Sequence, residues 1–411
     1  MIILKKLKYF FMVLAICAIV IENLPRISLI LGIVYILFSI TDWLLEQNKK
    51  LDGYFEHIVI LWFLLFFYLT VITILLPLDP YWYDGEILDS IDFKWIRALL
   101  LFVLFYKDCV ENELMIKVIA KYFIIMCVAM SLLAFMGVGV SVEGDIENTR
   151  LYFFGTNPNK FAMNYVYAFV LLFFIIRNQA LKHRIKKPIF YLSIGATALC
   201  LLAIILLTAS RGALACVIIL IVTSIFYKRK FNFLTWTMIA FIIGLVVYFA
   251  YGTLTSTEEM IVARRLEDTF ENEDYGTRDV LISEAWDIFL ESPIIGNGLN
   301  NVMYKIQMAT GKFVTPHNLF LYIISSGGII GFSIFSGILY VICVRVYRFG
   351  YKIGDLFAVQ LLLMVLLDFA KNGGSLNATI NYVFLAIALA SSTLSSKRFH
   401  ASQNIHQTQK I

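Results

Sequence analysis

Apolar stretches recur from one end of the chain to the other, each close to the ~20 residues that a bilayer crossing requires. They fall at 7–22, 27–45, 57–78, 93–108, 114–138, 161–177, 189–208, 212–227, 234–252, 318–345, 355–371 and 376–395. This pattern predicts an all-α, polytopic integral membrane protein with about 12 transmembrane helices. The first stretch follows Lys5, Lys6 and Lys8 and runs on into Ile-Val-Ile-Glu-Asn-Leu-Pro. Without a small-x-small cleavage site, it is read as an uncleaved signal anchor. The tenth holds Gly327, Gly328 and Gly331, and can also be read as a short half-helix followed by a full one.

Most polar breaks are short. The exception, 253–317, separates the ninth and tenth stretches and divides the chain into 1–252, 253–317, 318–395 and a tail, 396–411. Within the loop, Leu281, Ala285, Ile288 and Phe289 recur at helical spacing. Thr277 suits the N-cap, Asp279 the first turn, and Ser292-Pro293 the stop. Gly296-Asn297-Gly298 reads as a turn, and Leu299 to Met308 as a second short helix. The expectation is an amphipathic cap on the outer membrane face, with a plain structural lid or a partner surface as the ordinary alternative.

Composition narrows the class. The chain is 60% hydrophobic and 15% charged, against about 45–50% and 25% in soluble domains. Together with a mean hydropathy of +0.81, this excludes a disordered chain, a secreted disulfide scaffold and an ordinary cytosolic enzyme. The net charge of +5 gains meaning only when divided by side. With the N-terminus inside, inner segments hold 22 of the 34 basic residues and 8 of the 29 acidic ones. The inner face then sums to +14 and the outer to −9, the bias expected of a cytoplasmic side. Both termini are placed in the cytoplasm. No cysteine falls in an outer segment, so no disulfide is expected, and no Cys/His cluster suggests a metal.

On the outer face the candidates for chemistry are few. His317 is its only histidine, in Thr315-Pro316-His317-Asn318. With Thr315 capping and Pro316 in first position, His317 would occupy the first turn, where the helix dipole disfavours its protonation. A neutral imidazole there suits a general base; a structural hydrogen bond is the plainer role. Arg211, in the short turn Ala209-Ser210-Arg211-Gly212, lies near the hydrocarbon boundary. Snorkelling would explain it, but a planar fork donor also suits a diphosphate. Arg278 starts the amphipathic helix, Arg264 and Arg265 precede it, and Arg150 and Lys160 flank Gly155-Thr156-Asn157-Pro158-Asn159. Each alone reads as a solvated charge; together they suggest an anion site on an acidic face. Acidic residues crowd the outer loops without any Asp-x-Asp, and span interiors look nearly free of charge, Asp368 and Arg97 being marginal exceptions.

Three segments carry a resemblance to a family: Thr-Ala-Ser-Arg-Gly-Ala at 208–213, Gly-Thr-Arg-Asp through Pro-Ile-Ile-Gly-Asn-Gly at 276–298, and Pro-His-Asn through Gly-Gly-Ile-Ile-Gly at 316–331. A weaker fourth is Asn-Pro-Asn-Lys-Phe-Ala at 157–162. In order and spacing the chain resembles the O-antigen ligase/polymerase superfamily, most strongly over 190–345. The resemblance implies a metal-independent glycosyltransferase whose donor is a glycan on undecaprenyl diphosphate. It implies that Arg211 and Arg278 bind the diphosphate and that His317 deprotonates or orients the acceptor hydroxyl. Arg150, Asn157, Asn159, Lys160, Arg264, Arg265 and Asn318 are the accompanying candidates for substrate binding. No cofactor and no nucleic acid is expected; membrane lipid, a chain-length regulator and a flippase are the expected partners. Polymerase of a capsular, exopolysaccharide or O-antigen repeat unit is the leading reading, with ligase as the alternative. A lipid-linked oligosaccharide flippase is disfavoured because it needs polar groups within its spans.

Overall fold

A computed structural model describes residues 2–20, 25–46, 52–76, 93–143, 150–177, 187–208, 210–226, 278–311, 313–351, 355–371 and 378–408, with 244 and 376. The apolar stretches become α1 (Ile2–Val20), α2 (Pro25–Leu45), α3 (Gly53–Leu75), α4 (Phe93–Glu111), α5 (Leu114–Phe135), α6 (Pro158–Arg177), α7 (Lys187–Leu207) and α8 (Arg211–Phe226). The 253–317 loop contributes α9 (Arg278–Glu291) and α10 (Leu299–Thr310), and the chain continues as α11 (Leu319–Arg345), α12 (Leu356–Lys371) and α13 (Thr379–Thr408). Stretch 234–252, apart from Gly244, and residues 253–277 lie outside the described residues, and with them Thr277, Arg264 and Arg265. Among the described residues, six helices are long and apolar enough to cross a bilayer: those at 26–45, 53–75, 114–135, 158–177, 319–348 and 379–399. The protein is an all-α membrane protein.

Burial follows from which helix faces meet others. α6 and the first half of α13, to Thr393, are largely covered, whereas α3 leaves Ile60, Phe63 and Phe67 exposed, as a lipid-facing surface would. A small hairpin, β1 (Val140–Glu143) with β2 (Arg150–Phe153), is an element the apolar pattern did not foretell. It pairs Glu143 with Arg150 by backbone, and it precedes α6.

Helix ends sort to two sides. On one, Arg97 at the start of α4 donates to Thr379 at the start of α13, and Leu299 N–H donates to Thr73 near the end of α3. On the other, Arg345 of α11 pairs with Asp52 before α3, and Arg398 of α13 pairs with Glu113 before α5.

The expectation of nearly charge-free spans is corrected at that second side. Lys8 of α1 is fully buried and donates to Asp42 of α2 at 2.5 Å and to Asp108 of α4 at 2.8 Å. Asp108 also accepts from Tyr35 and Ser39, and Lys107 pairs with Glu111 at 2.9 Å. Each charge stands near the end of an apolar stretch, so along the sequence it reads as a loop charge. Only the bundle brings opposite signs together, which is what makes their burial tolerable.

The loop is locked into α11. Gly328 (φ 59°, ψ −163°) breaks that helix, as the half-helix reading allowed. The break frees backbone groups, and segment 293–298 satisfies them. Asn297 and Gly298 N–H donate to the Ser325 and Ser326 carbonyls, while Ile329 and Ile330 N–H donate to Pro293 and Ile294. A Cβ on Gly328 would overlap the Ile294 carbonyl, and one on Gly296 the Ser326 carbonyl. Two backbones approach here at a distance only glycine permits. Tyr68 of α3 seals the junction, donating to the Ile295 and Gly327 carbonyls at 2.8 and 3.1 Å. The glycine motifs at 296–298 and 327–331 are therefore two halves of one joint.

Candidate active site

The joint fixes α9 and the start of α11 relative to each other. α9 begins at Arg278, buries Leu281, Ala285, Ile288 and Phe289 as the spacing predicted, and ends before Ser292. The face away from the core carries Ile282, Trp286 and Leu290, all exposed. An apolar stripe with a tryptophan at one turn per residue step is what a helix lying at a bilayer surface presents.

At α11 the expected cap is corrected. The N-cap is Asn318, not Thr315: its Oδ1 accepts from Phe320 and Leu321 N–H at 3.0 and 3.2 Å. Asparagine is among the best N-cap residues, and the helix starts at Leu319. His317 precedes the cap with φ 53°, in the left-handed region. A residue with a side chain adopts this uncommonly, and it turns the imidazole out of the helical path. Burial first, then the Arg278 guanidinium and the Lys160 ammonium, hold the His317 pKa below the usual histidine range. The imidazole therefore favours its neutral form, for reasons of burial and neighbouring cations rather than of a first-turn position.

Arg278 in turn is lowered by its burial and by the adjacent charge of Arg211, and it stays protonated. Arg211 is the first residue of α8, which begins where Ser210 O accepts from Ala213 and Leu214 N–H at 3.1 Å. Lys160 sits in the first turn of α6. Asn157 caps that helix, its Oδ1 accepting from Asn159 N–H at 3.0 Å, with Pro158 in the first position. Arg211, Arg278, Lys160 and His317 thus come together at the starts of α8, α9, α6 and α11. For Arg150 only the backbone placement in β2 is described.

One residue escaped the sequence reading. Lys371, the last residue of α12, donates from Nζ to Ser210 Oγ at 2.9 Å, and Ser210 Oγ donates to Asn159 Oδ1 at 3.0 Å. The charges of Arg278 and of Asp368, one turn earlier, both act on it. The available signal was a lysine ending an apolar stretch, in Lys371-Asn372-Gly373-Gly374, on the side poor in basic residues.

Cations placed within reach of one another repel, and helix N-termini add partial positive charge. The ligand this arrangement favours is an anion of more than one charge. A carboxylate triple with metal-ligand spacing, Asp42, Glu46 and Glu111, lies at the opposite end, where Lys5, Lys8 and Lys107 pair with it.

Residues 196–336 match the family model described as O-Antigen ligase. Over that stretch the chain is similar to the O-antigen ligase/polymerase superfamily. It spans Arg211, Arg278, His317 and both halves of the glycine joint, while Lys160 and Lys371 lie outside it. The superfamily consists of glycosyltransferase-like membrane enzymes, ligases or polymerases. No curated protein matches the chain.

Proposed function

We propose that the protein polymerises undecaprenyl-diphosphate-linked oligosaccharide repeat units into a capsular, exopolysaccharide or O-antigen chain, on the extracytoplasmic face of the bacterial inner membrane. The observation that carries this reading is Arg278, which acts on the base His317 and feels the charge of Arg211, all three within the segment that matches the family model. His317 takes the proton of the acceptor sugar hydroxyl. The freed oxygen bonds to the anomeric carbon of the donor. The bond from that carbon to the diphosphate oxygen breaks, and the electron pair leaves with undecaprenyl diphosphate. Arg211 and Arg278 meet the negative charge that grows on this leaving group. The exposed stripe Ile282, Trp286 and Leu290 beside Arg278 gives an isoprenoid chain an apolar border at the bilayer surface.

Ligase chemistry uses the same donor and differs only in its acceptor. The test is a glycan profile of a strain carrying His317→Ala. Accumulation of single repeat units with normal protein in the membrane supports polymerase. Intact chains left on their lipid carrier would indicate ligase, and unchanged polymer would remove the base.

A further inference from the structure

The Ser210-Arg211-Gly212 turn does more than present an arginine. Ser210 Oγ receives the Lys371 ammonium at 2.9 Å and passes a hydrogen bond to Asn159 at 3.0 Å. At Gly212 an added Cβ would overlap Cδ and Cε of Lys371 and lie 2.8 Å from its Nζ. Gly212 is helical, with no positive φ among its properties, so backbone conformation does not require glycine there. A side chain there would instead have to displace the end of the Lys371 stem. The three residues form a seat: Ser210 orients the head of Lys371, Gly212 makes room for its stem, and Arg211 stands between them.

We propose that Lys371 is a third cation of the diphosphate site, delivered from α12 and held by the Ser210-Gly212 seat. The inference rests on the diphosphate reading above and adds to it a residue outside the family-matched segment. Three observations support a ligand-binding role over a purely structural one. The ammonium is held by a neutral hydroxyl relay rather than by a carboxylate at hydrogen-bond distance among the described contacts. The Arg278 charge acts on Lys371. And Asn159 ties the relay to the first turn of α6, next to Lys160, so a single anion can be met from α6, α8, α9 and α12. An ammonium is a point charge with three donors, suited to a phosphate oxygen that the planar guanidinium forks leave uncovered.

The test is equilibrium binding of undecaprenyl diphosphate to the full-length protein in lipid nanodiscs, over a range of salt concentrations. Lys371→Met is expected to weaken binding about tenfold, as loss of a charge-assisted hydrogen bond does, and to flatten the salt dependence. Lys371→Arg should recover part of the affinity. Gly212→Ala should weaken binding in the same direction, although glycine offers the ligand no side chain. Should Lys371→Met fail to fold, Gly212→Ala and Lys371→Arg carry the test. Binding by Lys371→Met or Gly212→Ala that matches wild type in strength and salt slope, while Arg278→Met loses it, overturns the role of Lys371 alone. Equal binding by wild type and Arg278→Met overturns the diphosphate reading and this proposal with it.

Discussion

Gly328→Ala and Gly337→Ala make the same chemical change in the same helix and are expected to have opposite effects. At Gly337 a Cβ meets nothing within 4 Å and the backbone is helical. Alanine there should stabilise by roughly 0.5–1 kcal/mol, the ordinary helix-propensity gain. At Gly328 the backbone has φ 59° and ψ −163°, and the Cβ would overlap the Ile294 carbonyl. Holding a non-glycine residue in such a region costs of order 1–3 kcal/mol. Pushing segment 293–298 away also endangers the hydrogen bonds of Ile329 and Ile330 to Pro293 and Ile294. Each such bond contributes about 0.5–1.5 kcal/mol net, so a total loss of about 2–6 kcal/mol is expected. Tryptophan-fluorescence melting of the purified protein in detergent reads both variants. Gly328→Ala should melt several degrees lower and lose activity, because the joint holds Arg278 against His317; Gly337→Ala should melt at or above wild type. A Gly328→Ala protein as stable as Gly337→Ala would refute the account of the joint.

Three other outcomes follow from the arrangement. Because the His317 pKa is held low by burial and by Arg278 and Lys160, the neutral base is present above that depressed value. Turnover should stay flat from pH 8 down to about 6.5 and fall only at lower pH; a decline already between pH 8 and 7 would contradict the sign. Asp108→Ala leaves the buried Lys8 ammonium short of a partner and should destabilise by about 3–5 kcal/mol in thermal unfolding, while binding of undecaprenyl diphosphate by the protein that remains folded is kept. An unchanged melting temperature would mean that Lys8 is not buried as found. Finally, an impermeant thiol reagent applied to whole cells expressing a cysteine-free background should label Met308→Cys and spare Lys397→Cys; the reverse pattern would invert the sidedness assigned to the whole site.

Much of this was legible along the chain because hydrophobic periodicity reports burial directly. Leu281, Ala285, Ile288 and Phe289 of α9 were found by spacing alone, and the glycines at 327–331 signalled a possible break in the helix that follows. Arg211, Arg278 and His317 stood out because positive charge and imidazole are scarce on an acidic side. What stayed hidden depends on pairing between distant segments. Nothing in Lys8, Asp42 and Asp108 taken singly tells that they neutralise one another. Lys371 looked like the end of a span until Ser210 and Gly212 came beneath it. The cap moved from Thr315 to Asn318 because both are good caps, and the choice depends on which N–H groups the helix presents.

The central claim is that Arg211 and Arg278 stabilise a departing lipid diphosphate while His317 activates the acceptor. Its most direct test is turnover by purified protein supplied with the lipid-linked repeat unit of the strain that makes it, following release of undecaprenyl diphosphate together with glycan chain length. The account predicts one diphosphate released per repeat unit added, with rates lowered at least tenfold by Arg278→Lys and abolished by His317→Ala. Chain growth that continues at the wild-type rate in both variants would contradict it.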